Sequence, residues 1–419
     1  MTTSTLTRKK ALFAPEFVLP SLAYSAIAKR GMELVDLRSL GIIPGIAGGA
    51  VDDKTRKRGY NAADDLVQQT SDGFDLNLLW DEFQRTVALA NAERSRMIAL
   101  LTFPVTNVIE RVPQVSGADF EEASEYGEPV GVRPATSYFS LGYDLKWYDL
   151  AARFTWKFLA DAPRSQVDAI NAMALEADNR LMFNKVMDAL FRNTNRVADI
   201  QGQQDVNVYA LYNADGTVPP KYKSNVFDGN HTHYLTSGAA NIDSGDVDTL
   251  VADLKSHGYS KVNGYTIALM VNTREANVIR TFRVATGASN DFVPSQGTPG
   301  MFLPRDVELF GQQVANNWRG LNVIGSYGDA LIVEEETIPA AYVLGIASGG
   351  PENLGNPVGL REHTNTSLRG LRLVKGPNPD YPLIDSFYNR GFGTGIRQRG
   401  GAIVMQITAN ANYTKPTFA

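Results

Sequence analysis

Hydrophobic positions change period several times along the chain, and each change marks an element. From 75 to 101, Leu76, Leu79, Trp80, Phe83, Val87, Ala90, Met97 and Leu101 recur at spacings of three and four, with Glu82, Arg85, Glu93, Arg94 and Arg96 on the opposite face. This spacing predicts one amphipathic helix, capped by Asp75 and stopped by Pro104. A stronger stripe of Val167, Ile170, Ala174, Ala177 and Leu181, continued by Val186 and Leu190, predicts a helix over 163–192. Asp161 or Ser165 can cap it, and Pro163 suits its first turn. At 1.5 Å per residue it runs about 45 Å, which makes it a spine rather than a short packing helix.

Between these helices the period drops to two. Val105 to Val115 is rich in β-branched residues, and Phe139, Leu141, Tyr143, Leu145 and Trp147 alternate with Ser140, Gly142, Asp144, Lys146 and Tyr148. Alternation of this kind predicts a half-buried strand. The stretch between them carries Asp119, Glu121, Glu122, Glu125 and Glu128 with no basic residue among them. Residues 103–146 therefore read as one long antiparallel hairpin with an acidic tip.

After a turn-rich stretch (193–242) the pattern becomes that of an α/β module. Asp243 or Ser244 caps a helix with Val247, Leu250, Val251 and Leu254 on one face, ended by Gly258. Tyr265 to Val271 reads as a buried strand, and Asn272 with Glu275 as a capping-box start to a helix carrying Val278, Ile279 and Phe282. Ala330 to Val333 and Ala341 to Ala347 are two further buried strands, flanking the run Glu334-Glu335-Glu336, and Gly401 to Ile407 closes the chain with β character.

Residues 1–74 lack sustained periodicity. Arg8-Lys9-Lys10, an apolar stretch and Ala26-Ile27-Ala28 have the outline of a signal peptide, but Pro15, Glu16 and Pro20 cut the apolar part into short pieces. An extended, partly apolar arm is the expectation, with a second basic run at Lys54, Arg56, Lys57 and Arg58.

Composition narrows the function classes. The chain has 419 residues, no cysteine, 40 basic against 45 acidic residues and a net charge of −5. A core of this size needs no disulfide staples. The missing thiols exclude cysteine nucleophiles and thiolate metal sites. An acidic balance argues against general nucleic-acid binding as the main task. No stretch approaches the roughly 18–20 apolar residues of a membrane span.

Candidate chemistry is sparse. His231 and His233 would share a face on a strand and could grip a metal, but no third ligand accompanies them at a persuasive spacing, so they read as surface histidines. Gly391-Phe392-Gly393-Thr394-Gly395 is followed by a strand and has no P-loop lysine; it reads as a mobile turn with Arg390, Arg397 and Arg399 solvated or touching a partner. No Gly-x-Ser-x-Gly elbow or His-Glu-x-x-His pair occurs. The chain therefore offers no catalytic, cofactor or metal site to name.

The hairpin poses a physical problem instead. A globular chain of this length has a radius of gyration near ~22 Å. Each hairpin strand would extend about 46 Å at ~3.3 Å per residue. A lone two-stranded ribbon is marginal in water. Phe139, Tyr143 and Trp147 supply apolar area for another surface, and the arm needs one too. Both features point to a subunit whose partners are copies of itself.

The order arm, long helix, acidic-tipped hairpin, spine helix, inserted α/β domain and closing β segment resembles the major capsid protein of tailed bacteriophages. The strings Gly117-Ala118-Asp119-Phe120-Glu121-Glu122-Ala123, Tyr143-Asp144-Leu145-Lys146-Trp147 and Ala174-Leu175-Glu176-Ala177-Asp178-Asn179-Arg180 read like capsid subunits of phages infecting actinobacteria. The resemblance implies an α+β phage major-capsid fold, also used by encapsulin shells. Its parts map to an N-terminal arm with its helix (1–102), an extended loop (103–146), a peripheral domain (147–242 with 351–419) and an inserted axial domain (243–350). It further implies pentamers and hexamers tiling an icosahedral virion shell around double-stranded DNA, assembled in the host cytoplasm. Portal, scaffold and decoration proteins are the implied further partners; no membrane is. Some members weld subunits through a lysine on the extended loop. Here Pro104 to Leu145 has none, so noncovalent cohesion is expected.

Two surfaces follow as expectations. The acidic tip, with Phe139, Tyr143 and Trp147, should dock on a neighbour's basic residues, among which Arg369, Arg372, Lys375 and Arg390 are candidates. Arg8, Lys9, Lys10, Lys54, Arg56, Lys57 and Arg58 should face packaged DNA. The competing readings are an encapsulin-like nanocompartment, a soluble α/β hydrolase with its site in 243–350, and a secreted β-rich surface protein.

Overall fold

The computed structural model describes residues 67–92, 95–113, 122, 125, 127, 138–198, 206–296, 313–375 and 383–418. In chain order the helices are α1 (Leu76–Ala92), α2 (Arg96–Leu101), α3 (Trp156–Asp161), α4 (Arg164–Phe191), α5 (Ser244–Ser256) and α6 (Thr273–Ile279). The strands are β1 (Thr102–Val105), β2 (Ile109–Pro113), β3 (Tyr138–Gly142), β4 (Lys146–Thr155), β5 (Arg196–Ala198), β6 (Val206–Val208), β7 (Tyr234–Thr236), β8 (Thr266–Val271), β9 (Phe292–Pro294), β10 (Asn317–Trp318), β11 (Leu321–Tyr327), β12 (Ala330–Glu334), β13 (Tyr342–Ser348), β14 (Val358–Glu362), β15 (Leu371–Lys375), β16 (Leu383–Ile396) and β17 (Ala402–Gln406).

The larger sheet runs β10-β11-β12-β8-β13-β17-β7, with β9 paired to β11. Its central strands are buried on both faces, which is why they read as continuous apolar runs. On β8, Ile267, Leu269 and Val271 face a core filled by Val247, Leu250 and Leu254 of α5 and Ala276 and Ile279 of α6. Ala268 and Met270 face a second core holding α2 and the C-terminal half of α4. Strands β7 and β17 come from outside residues 243–350, so the sheet gathers three separate stretches of chain. Asp243 caps α5 in a reciprocal box with Asp246. Asn272 caps α6, while Glu275 is buried and accepts from the Ala341 N–H at 3.1 Å instead of completing a capping box.

The smaller sheet is β1-β14-β16-β15, with β4 also on β16. Helix α1 lays Leu76, Leu79, Trp80, Phe83 and Val87 over it, against Leu371, Leu373, Phe154 and Tyr388. The Asn91 side chain pairs with the backbone of Leu371 in both directions at 2.7 Å, acting as a strand neighbour for β15.

Helix α4 is the spine. Its 28 residues span about 42 Å. Val167, Ala174 and Leu175 pack into the core of the smaller sheet, and Met182, Val186, Met187, Leu190 and Phe191 into that of the larger. Pro163 occupies the N-cap without a side-chain bond, so neither Asp161, which ends α3, nor Ser165 caps it.

Four expectations are corrected. The helix over 75–101 is two helices, because Ser95 is extended (φ −48°, ψ 125°) and redirects the chain. The halves bury into different cores: α1 in that of the smaller sheet, Met97, Ile98, Leu100 and Leu101 in that of α4's C-terminal half. The hairpin does not begin at 103, since β1 runs through Pro104 and pairs in parallel with β14. Its paired part is β2 with β3, from Ile109 opposite Gly142 to Pro113 opposite Tyr138. The alternating run 139–148 is not one strand either: the chain leaves β3 at Gly142 and re-enters as β4, in another sheet.

The fourth correction concerns Gly391 to Gly395, which is no turn. It lies within the 14-residue β16, where Arg390 is 6% exposed and its guanidinium meets Asp178 of α4 at 2.6 Å. Burial pushes the Asp178 carboxyl up, and Arg390 offsets part of that effect. Asp178→Ala strands a buried cation, so its expected cost is about 3–5 kcal/mol, read as a lower urea midpoint of the unassembled subunit. Replacing both partners by apolar residues of similar volume should recover most of the loss.

Candidate functional site

The β2–β3 ribbon leaves the body at a joint built from residues 142–147. Tyr143 is fully buried there. Its ring lies on backbone where Gly359 and Gly395 present no side chain: a Cβ at either would stand 2.4 or 2.6 Å from ring carbons. Its hydroxyl donates to Glu110 Oε2 at 2.9 Å, and Arg397 Nε donates to Glu110 Oε1 at 2.8 Å. Arg361 Nη1 donates to the Tyr143 carbonyl at 2.9 Å. Burial, then the Glu110 charge, push the Tyr143 hydroxyl far above its usual range.

Asp144 completes the joint. Its Oδ1 accepts the Thr394 N–H at 2.8 Å, and its Oδ2 meets Arg196 Nη1 at 2.8 Å. The chain crosses β16 so closely that a Cβ on Gly393 would lie 1.8 Å from the Asp144 carbonyl oxygen. Gly391 likewise makes room for the Trp147 ring. Buried groups bonded this completely hold one geometry, since any displacement leaves a charge unpaired.

Beyond the joint, β3 rests on β6 with Leu141 buried, and cover thins toward Tyr138. Phe139 is half-buried with its ring 4.4 Å from that of Tyr209, while Tyr138 is 61% exposed. On the face of the smaller sheet turned away from α1, Trp147 (44% exposed) and Val374 (45%) lie open, and the Arg372 guanidinium sits 5.4 Å from the Trp147 ring. Lys375 is half-buried at the far end of β15, at an alternating position that puts it on the opposite face. Arg369 spends its guanidinium on the carbonyls of His363 and Thr364, at 2.7 and 3.0 Å.

The expected contact residues thus divide. Trp147 and Arg372 share one sheet region, Lys375 stands apart from them, and Glu122 and Glu125 are exposed. Tyr143 and Arg390 are taken up inside the chain, where the first holds the joint and the second the spine. Asp119, Glu121 and Glu128, and all of Arg8, Lys9, Lys10, Lys54, Arg56, Lys57 and Arg58, lie outside the described residues. Arg399 is 4% exposed, not solvated, and bonds the Ala210 and Leu211 carbonyls and Asp215.

The histidines are a further correction. His233 is fully buried, and its Nε2 lies 3.0 Å from those of both His231 and His257, which are 2.8 Å from each other. Asp253, one helical turn before His257 on α5, brings its carboxylate to 3.7 and 3.9 Å from His231 and His233. Burial lowers the pKa of His233 well below normal and, with the charge of His231 second, takes His257 to about 4. Burial also raises that of Asp253. The third and fourth ligand types that appeared missing come from the other side of the loop. Asp253 and His257 at i, i+4 beside a His-x-His pair was the legible signal.

Comparison with known proteins agrees with this architecture. No protein-family profile matches the chain, and no curated protein does. Among solved structures, a chain from Mycobacterium phage Patience is 47% identical, covering 87% of this chain and 97% of that one with a TM-score of 0.67. A chain from "Capsid of empty GTA particle computed with C5 symmetry" is 13% identical, covering 75% and 91% with a TM-score of 0.44. The holo-SrpI encapsulin complex from Synechococcus elongatus is 12% identical over 78% and 95%, with a TM-score of 0.42.

A methyl group at Gly393 has nowhere to go, because the atom it meets is backbone. Gly393→Ala is expected to destabilise the subunit by more than about 3 kcal/mol and to free the ribbon, measured as a lower melting temperature and faster proteolysis between 109 and 142. Gly287→Ala, at an open position with nothing within 4 Å, should leave ribbon proteolysis unchanged.

Proposed function

The chain belongs to the major capsid proteins of tailed bacteriophages, a fold it shares with encapsulin shells, and from that premise we propose that it closes an icosahedral shell of pentamers and hexamers around double-stranded DNA. Shell formation through copies of itself is the family's task. The observation that carries the finer reading is the ribbon: a firmly held root, an exposed Tyr138 beyond it, and an uncovered sheet face with Trp147 and Val374 on the same subunit. A fixed projection and an open apolar face on one chain are complementary halves of a repeating contact.

In this reading residues 1–102 are the N-terminal arm with its helix, 103–146 the extended loop, 243–350 the axial domain, and 147–242 with 351–419 the peripheral domain around α4. The acidic residues Asp119, Glu121, Glu122, Glu125 and Glu128 dock near Arg372 and Lys375 of an adjacent copy. The basic residues at 8–10 and 54–58 face the DNA, and portal, scaffold or decoration proteins complete the particle in the host cytoplasm. The role is structural, with no chemistry performed.

Electron microscopy of purified particles tests this directly. Closed shells containing DNA are expected. Shells filled with protein would favour a nanocompartment, and a stable monomer at high concentration would overturn the assembly reading. Glu122→Lys with Glu125→Lys should block shell closure while leaving the subunit's melting temperature within about 1 °C, since both carboxylates are exposed and contribute little to folding. Because 104–145 has no lysine, boiling in SDS should release one band at the monomer mass; a ladder would reveal covalent links.

A further inference from the structure

We propose that His231, His233, His257 and Asp253 hold one Zn2+ ion per chain as a structural site. Three of the chain's four histidines meet here. Each Nε2 has a single in-plane position, filled either by a hydrogen or by a lone pair. Three such positions aimed at one point 2.8–3.0 Å apart cannot all be satisfied by hydrogen bonds. The best neutral pattern aims one N–H between the other two nitrogens and leaves their lone pairs facing each other. A cation accepts all three lone pairs at once.

The geometry suits a tetrahedral ion. The circle through the three nitrogens has a radius of roughly 1.7 Å, so an ion 2.0–2.1 Å from each sits about 1 Å off their plane. Edges in such a site are near ~3.3 Å, a few tenths longer than those here, so the rings need only spread slightly. The Asp253 carboxylate is placed for the fourth corner, and all four ligand atoms fall within 4.8 Å of one another. Three imidazoles and a carboxylate are all zinc ligands, and together they fill the four tetrahedral corners, which leaves no open position for a reacting water and makes the site structural.

The surroundings are built for ligation. His233 Nδ1–H donates to the Ala402 carbonyl at 2.6 Å, which fixes the tautomer that leaves Nε2 free to bind. The His257 ring stacks on Phe227 at 4.2 Å (5° between planes) and on Tyr212 at 5.5 Å (14°), which sets its orientation and keeps water out. The nearby Arg399 guanidinium is neutralised by Asp215 at 2.8 Å, so it opposes a dication little. His231 and Asp253 keep 18% side-chain exposure, a route for the ion to enter.

The ion would tie three separate pieces together. Residues 209–233 form a long connection without helix or strand, and connections of that length need something besides their own backbone to order them. Zinc joins the end of that connection to the C-terminal end of α5, and through His233 to β17. This inference stands on the cluster itself and does not depend on the shell reading.

The test uses the full-length protein, as particles or as subunits. It is equilibrated with equimolar ZnCl2, desalted, and its metal measured by inductively coupled plasma mass spectrometry. About one zinc per chain is expected from a four-ligand site. Stripping with dipicolinic acid should lower the melting temperature, and one equivalent of ZnCl2 should restore it. Co2+ in place of zinc should give the intense visible absorption of a tetrahedral site. Asp253→Asn should weaken zinc retention at least about 10-fold. Less than about 0.1 zinc per chain in the unmodified protein, or equal retention by a His231→Gln, His257→Gln variant, would overturn the proposal whatever the particles look like.

Discussion

A two-stranded ribbon can project from a protein only if the place where it leaves is stiffer than the ribbon itself, and residues 142–147 meet that requirement. The Asp144 carboxylate binds the backbone of β16 and Arg196 together, so the chain cannot lift away without exposing an ion to an apolar interior. Glycines at 359, 391, 393 and 395 let it come that close. The alternating glycines of β16 are thus the counterpart of Tyr143, Asp144 and Trp147, and neither set makes sense alone. Everything outward of the joint inherits its direction.

The body behind the joint is organised to the same end. The two sheets meet in one core, where Val358, Leu360, Phe392 and Ile396 of the smaller pack with Met270, Val323 and Leu344 of the larger. Helix α4 ties this core to the one beneath α1 by lending its last turns to the first and its first turns to the second. The buried pair Arg390–Asp178 lies where helix and β16 cross, and Tyr388 donates to the fully buried Asn171 at 2.6 Å nearby. These polar contacts fix how the helix is rotated on the sheet. Apolar packing alone would allow several rotations.

Much of this was legible in the residues. The stripe of α4, the capped α5 and the apolar runs of β8, β12 and β13 each obey a single local rule, and the structure has them within a residue or two. What escaped was whatever depended on distant partners. Nothing near Ser95 signals a break; the helix ends there because its two halves are claimed by different cores. Strands β3 and β4 form one alternating run, and only the glycines of β16 force the step between them. Those glycines looked like a loop because a strand with no side chains on one side is locally indistinguishable from a turn. His257 was overlooked because its companions lie 24 and 26 positions earlier, across an irregular connection whose path no periodicity reveals.

The shared helix has one more consequence. Unravelling either half of α4 removes a wall from one core and leaves the half in the other with a free end, so melting one core weakens the second. The helix thereby couples the two cores, and loosening at one end of the subunit is felt at the other.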